Sequence, residues 1–321
     1  MSSESKEKIY WLCDYKESEY GSLNRSTYLA KCFLSSKFVP IIIDFKKLET
    51  LTQESPNVVV NFEDCLAFSD DILRLNNFTL WVHDLYHRGA AENSVKQFLS
   101  LAKKAKQVIF SSYRNLQEAK KILHSEKIEL PLFFLPYPVR QVVKVKKQQN
   151  LRKKIIFHAT TLVEDRAHVI LNTLREFKDF TIEWLINEEE ILEAKKMLRE
   201  FEINTVKLIL GRTPEMWEAL AATADIALHL RVSAFGDIGE FVNISFSQGI
   251  ECVVSDFADT SYLSENIVSK ILPGVEEQVK LKNLLTQFAA KERSPKGSVV
   301  LAYAEENLSL EYITSELLTI L

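Results

Sequence analysis

Residues 225–256, DIALHLRVSAFGDIGEFVNISFSQGIECVVSD, constrain the fold of this chain more than any other stretch. Two short apolar runs, 225–230 and 251–256, flank a loop containing Gly236 and Gly239 and a helical segment over 241–248. Apolar runs of this length fit strands buried on both faces. A helix between two of them makes a βαβ unit of a parallel sheet. A glycine-containing loop that opens a helix presents backbone N–H groups where a phosphate binds readily.

The same alternation extends in both directions. Towards the N-terminus, the runs at 9–14, 39–44, 57–61, 78–84, 107–112 and 131–136 read as strands, being short and rich in β-branched and aromatic residues. Amphipathic stretches such as SVKQFLSLAKKAK and NLQEAKKILHS lie between them. A second set begins with 155–159 and continues through 180–186, 206–210, the two central strands and 269–272. Its helices include EEEILEAKKMLREF and TPEMWEALAATA, where Thr213 before Pro214 suits an N-cap followed by proline at the first helical position. Strand–helix alternation with right-handed crossovers predicts an α/β protein with two Rossmann-like, doubly wound sheets. Between the sets, residues 140–154 carry seven Lys and Arg and no acid. The expected organisation is a first domain over 1–139, a basic linker over 140–153 and a second domain over 154–321. The chain ends in the amphipathic helix SLEYITSELLTIL, which belongs to the second domain or packs back on the first.

Composition narrows the function. At 321 residues and 46% apolar, the chain can build two cores. A net charge of −4 argues against wholesale nucleic-acid binding. Residues 1–150 hold 22 Lys and Arg against 17 Asp and Glu, and the remainder 18 against 27, so the first half is basic and the second acidic. The basic linker is either a solvated connector or a contact for anionic lipid or an acidic acceptor. Cys13, Cys32, Cys65 and Cys252 form no CxxC pair and read as buried thiols in a reducing compartment, with no metal site. The N-terminus lacks an apolar signal region, and no apolar run approaches the ~18 residues of a membrane span. The expectation is a cytoplasmic protein, with the basic linker as its surface for peripheral contact at the inner face of the membrane.

The motif Gly236-Asp237-Ile238-Gly239-Glu240 stands immediately before Phe241. Its amides and the helix dipole suit a diphosphate; the bland reading is a turn that needs glycine. The order of residues here resembles the sugar-nucleotide loop of the family-4 retaining glycosyltransferases. It is closest to the bacterial variety in which a strand ending Leu-Arg is followed by Gly-Glu, a helix ending in Gly, and a Val-Val-Ser-Asp strand. The matching residues are Leu230-Arg231, Gly236-Asp237, Gly249 and Val253 to Asp256.

The resemblance implies GT-B architecture, two Rossmann-like domains facing a cleft, and a nucleoside-diphosphate sugar as donor. The family's Glu-x7-Glu pair is degenerate here: aligning on Gly249 puts Gly236 and Ile244 at its two positions, and the sugar-side role passes to Asp237. The family's Arg-x4-Lys cations, which hold the donor pyrophosphate, fall on Thr161 and Arg166. The resemblance also implies a site role for His83 at the end of FTLWVHD, a phosphate-side loop at Gly21, and donor contacts at Arg231, Gly236, Gly239, Glu240 and Phe241. Asp225 reads as structural.

The leading expectation is a transferase that moves a sugar from a nucleoside-diphosphate sugar to a hydroxyl of a glycan, lipid-linked or protein acceptor, with retention. It would work without metal or other cofactor, since no Asp-x-Asp motif appears. No P-loop, Ser-His-Asp constellation or Gly-x-Gly-x-x-Gly fingerprint competes. The rival class is a catalytically silent GT-B protein serving as a binding or chaperone subunit of a glycosylation complex, a reading favoured by Ile244 and Thr161.

Overall fold

The computed structural model describes residues 7–13, 38–44, 57–65, 72, 75, 77–86, 91–142, 153–159, 166–186, 188–211, 214–232, 238–290 and 296–321. These residues divide into two compact units. One draws on the chain up to Arg140 and on Asn307–Leu321, the other on the described residues from Gln141 to Glu306.

The first unit is built on six parallel strands: β1 (Glu7–Cys13), β2 (Phe38–Asp44), β3 (Val58–Asn61), β4 (Thr79–Val82), β5 (Gln107–Phe110) and β6 (Leu132–Phe134). They lie in the order β2-β1-β3-β4-β5-β6. Successive side chains of a strand point to opposite faces, and here both faces are covered. Leu12, Val58, Val60, Leu80, Val82, Val108 and Phe110 belong to one core. That core also takes Phe62 of the one-turn helix α1 (Phe62–Cys65), Phe98 and Leu101 of α2 (Ala91–Ala102), and Leu116, Ala119 and Leu123 of α3 (Tyr113–Ser125). The intervening residues Ile9, Trp11, Val59, Trp81 and Ile109 form the opposite core with Leu135 and Tyr137. Two-sided burial is why these strands read as continuous apolar runs rather than alternating ones.

The second of those cores is closed by the end of the chain. After helices α8 (Glu277–Ala290) and α9 (Gly297–Asn307), the terminal helix α10 (Leu310–Ile320) packs Ile313 and Leu317 against Trp11 and Trp81. Ser309 caps it, accepting from the Tyr312 amide at 3.2 Å. Val139 bridges to Ser309 and donates to the Leu308 carbonyl, while Lys106 and Gln107 bond the last two carbonyls of the chain.

The second unit holds β7 (Lys154–His158), β8 (Thr181–Ile186), β9 (Val206–Leu210), β10 (Ile226–His229), β11 (Glu251–Ser255) and β12 (Val268–Ile271), all parallel. Their order is β12-β11-β10-β7-β8-β9. The chain therefore starts at the sheet's centre, builds outward through β8 and β9, then returns to add β10 on the other side of β7. This reversal between β7 and β10 is where a doubly wound sheet opens a crevice at its carboxyl edge. Helices α4 (Ala167–Leu174), α5 (Ile191–Glu200), α6 (Pro214–Thr223) and α7 (Glu240–Ser247) follow β7, β8, β9 and β10.

Phe157, Trp184, Leu228, Val253 and Ile271 face a core shared with Val169 and Ile170 of α4, Met197 of α5, and Leu281 and Leu285 of α8. Phe157 and Trp184 stack at 5.1 Å. Asp225 accepts from the Lys154 amide at 2.8 Å, tying the starts of β10 and β7 together.

The expected strands are present, with ends that differ by at most two residues. FTLWVHD is shortened by three residues: pairing stops at Val82 because the amides of His83 and Asp84 turn to Glu63. The helix expected from Phe241 starts one residue earlier, at Glu240, because Gly239 takes the cap position. The helix expected from 188 opens instead as a 3-10 turn, Glu188–Glu190. Pro214 is the first residue of its helix, and Thr213 lies outside the described residues.

Candidate functional site

The helices α4, α5, α6 and α7 each follow a parallel strand and so begin at or near the carboxyl edge of the second sheet. Two of them, α4 and α7, directly follow the strands that flank the reversal, β7 and β10. Neither start carries a side-chain cap. The cap of α7 is Gly239 at φ 90° and ψ 143°, a conformation open in practice only to glycine. The cap of α4 is Arg166, held left-handed at φ 54° and ψ 34°. A helix start whose cap residue gives no side-chain acceptor, at the positive end of the helix dipole, suits an anion.

Arg166 does not bring an unanswered charge to this edge. Its guanidinium ion-pairs with Glu277, the first residue of α8, which is 1% exposed. Both burial and the Arg166 charge lower the pKa of His168 on the first turn of α4, while Glu277 opposes them. The edge therefore holds a coupled group, Arg166, His168 and Glu277, in which the net charge of the ion pair is zero.

Between the two helix starts lies a cluster that no single motif announces. His158 ends β7 and His229 ends β10, and because Leu228 pairs with Phe157 the two histidines stand side by side on adjacent strands. They occupy the face opposite Phe157 and Leu228. Their rings lie 6.1 Å apart and nearly parallel, at 14°. Phe241, from the first turn of α7, approaches His158 at 5.5 Å and His229 at 5.9 Å. Trp217 of α6 contacts His158 at 5.2 Å and Phe241 at 6.4 Å. A β-carbon on Gly239 would stand 3.7 Å from His229 Nε2, so the imidazole borders the cap of α7.

Of the residues expected here from sequence, the structure brings Gly239, Glu240 and Phe241 together at the start of α7, with Arg166 at the start of α4. Arg231 lies two residues past β10, half-buried. Gly21, Thr161, Gly236 and Asp237 lie outside the described residues. Sequence reasoning passed over His158, His229, Trp217 and Glu277. The only available signal was a histidine at the end of each of two strands, IIFHA and IALH, and nothing local says that these strands are neighbours.

His83 sits in the first unit, just past β4, and is 1% exposed. Its Nδ1 is 2.9 Å from Ser111 Oγ, which also accepts from Trp81 Nε1 at 2.7 Å. Its amide donates to Glu63 at 2.6 Å and its carbonyl accepts from Asn115 at 2.9 Å. Tyr137 stacks on the ring at 4.7 Å. This imidazole is enclosed by partners that organise the strand ends of the first unit.

No protein-family model matches the chain, and no curated protein matches it in sequence. Solved structures do match along almost its whole length. The Anabaena protein HepE, solved with UDP and glucose, is 13% identical with a TM-score of 0.73 over 98% of this chain and 100% of its own. A glycosyltransferase from Rickettsia africae is 13% identical with a TM-score of 0.72, over 98% of this chain and 97% of its own. The lipopolysaccharide outer core galactosyltransferase WaaB is 13% identical with a TM-score of 0.69, over 98% of this chain and 100% of its own. At this identity the likeness establishes the fold: the chain has the α/β GT-B architecture of these glycosyltransferases, with two Rossmann-like units.

Proposed function

We propose that this chain is a glycosyltransferase that takes a nucleoside-diphosphate sugar at the carboxyl edge of its second unit and transfers the sugar to an acceptor hydroxyl. The observation that carries the reading is the pair of helix starts without side-chain caps, α4 and α7, flanking the strand-order reversal. Two sets of amide donors at one crevice suit the two phosphates of a diphosphate. Their contribution grows as charge develops on the leaving group. The structural neighbours support the donor class, since HepE was solved with UDP-glucose as well as with UDP.

The finer assignments follow the resemblance to the family-4 enzymes: retention of configuration, a hexosyl donor, no metal or other cofactor, and an acceptor that is a glycan, a lipid-linked sugar or a protein. Asp237 is assigned to the transferred sugar, and Thr161, Gly21 and Gly236 to the phosphates. A cytoplasmic location suits a nucleotide-sugar donor. Among the described residues no helix is long and apolar enough to cross a membrane. The basic run 140–154 suits an anionic acceptor or membrane face.

Calorimetric titration with UDP-glucose and GDP-mannose, followed by donor turnover with acceptor extracts, tests the reading. Binding of one donor with release of its nucleoside diphosphate is expected. Absence of binding by either donor would sink it, and binding with no turnover would make the chain a silent subunit.

A further inference from the structure

We propose that His158 and His229 act as the titratable half of the diphosphate site, a stacked pair that takes up one proton when the donor binds. The inference rests on the donor reading of the same edge, and it names residues that neither the motifs nor the resemblance assigns.

The pair ends the two strands that flank the reversal, between the starts of α4 and α7. His229 is 3% exposed, and its Nε2 borders the cap of α7, beside the first-turn amides of that helix. A diphosphate seated on those amides comes within reach of the imidazole.

Arg166 is already answered by Glu277, so that pair offers the ligand no net charge. Arg231, past the end of β10, keeps its charge at every relevant pH and cannot respond to acidity. A histidine gains its charge near neutrality. The rings lie 6.1 Å apart in a setting closed by Trp217 and Phe241, and two positive charges that close repel strongly. The pair therefore carries at most one proton, and it behaves as a unit.

Among the described residues, the charged side chains on the surrounding elements include Glu215 and Glu218 on α6, Glu240 on α7, Asp256 and Asp259 just past β11, Arg231, and Arg166 with His168 at α4, while Lys154 and Glu251 stand at the opposite ends of β7 and β11. The carboxylates favour the protonated pair and Arg231 opposes it. His168 is the competing proton acceptor, because a bound anion would also relieve the effect of Arg166 on it.

The test is titration with UDP-glucose and GDP-mannose from pH 6 to pH 8, in buffers of differing ionisation enthalpy. The diphosphate of each is esterified at both ends, so ligand charge is constant over this range. Binding should tighten about tenfold from pH 8 to pH 6, with net proton uptake on the unaltered protein. His229→Gln and His158→Gln should flatten the pH dependence, while His168→Gln should keep it. Should His229→Gln misfold, the proton count of the unaltered protein still decides. Tight binding that ignores pH, with no proton uptake, would overturn the inference and leave the donor site standing. A dependence lost only in His168→Gln would overturn it too, moving the proton to α4. No binding of either donor at any pH would remove the site itself, and the inference with it.

Discussion

The two units place histidines at equivalent positions, just at or past the ends of central parallel strands, and use them differently. In the first unit His83 is fastened by Ser111, Glu63, Asn115 and Tyr137, and the neighbouring helix α3 starts with a cap, Ser112 accepting from the Asn115 amide at 3.0 Å. In the second, His158 and His229 lie among rings, and the helices beside them start without a side-chain cap. A capped start commits its amides to its own chain; an uncapped one offers them to an anion. The contrast is between strand ends of the first sheet held by side-chain hydrogen bonds and a capped helix, and strand ends of the second beside which the donor is proposed to bind.

The largest test of that contrast is Glu277→Ala. Removing one partner of a buried ion pair costs about 3–5 kcal/mol, and less here, about 2–3 kcal/mol, because the Arg166 side chain remains 26% exposed. Urea denaturation should register this loss. Donor affinity should rise about threefold or more as Arg166 becomes available to phosphate. A fall in affinity would mean that Glu277 aims Arg166 at the ligand, and the second unit's edge would then be as internally braced as the first.

Next in size is Gly239→Ala. The added carbon finds ordinary space beside His229, but the backbone at φ 90° and ψ 143° is strained for any residue with a β-carbon, at about 1–3 kcal/mol. The start of α7 should shift and nucleotide affinity should fall with stability. Ser112→Ala is the counterpart in the first unit, worth about 1 kcal/mol through the lost cap. It should leave nucleotide affinity unchanged. Equal effects of the two substitutions on binding would erase the distinction between the sheets.

Most of the architecture was legible in the sequence because two-sided burial writes each parallel strand as an unbroken apolar run. Runs such as VVV at 58–60 and ECVVS at 251–255 leave little else to read. The candidate site was legible only where one local stretch carries it, as at Gly239, Glu240 and Phe241. What depends on strand order was not. His158 and His229 become neighbours only once β10 is laid beside β7, and Arg166 meets Glu277 only across the packing of α4 on α8. His83 was marked by its position at a strand end, but its enclosure depends on Ser111 and Tyr137 from later strands and loops.

The smallest effect expected is on the pH dependence of stability, and it comes from His168. Burial, the first cause, and then the Arg166 charge hold its pKa below the ordinary histidine value, with Glu277 pulling the other way. Over the window between the unfolded value of about 6.5 and the lower folded value, the unfolded chain binds more protons than the folded one. Stability from this group is therefore present above about pH 6.5 and is lost as pH falls through that window. His168→Gln cannot take a proton, so its loss of stability between pH 7.5 and pH 5 should be smaller than that of the unaltered chain, all other groups being common to both. Saturating donor should narrow the difference, because an anion at the start of α4 raises the folded value of His168 towards the unfolded one. A difference that donor leaves untouched would place the anion at α7 alone, and the starts of α4 and α7 would no longer act as one site.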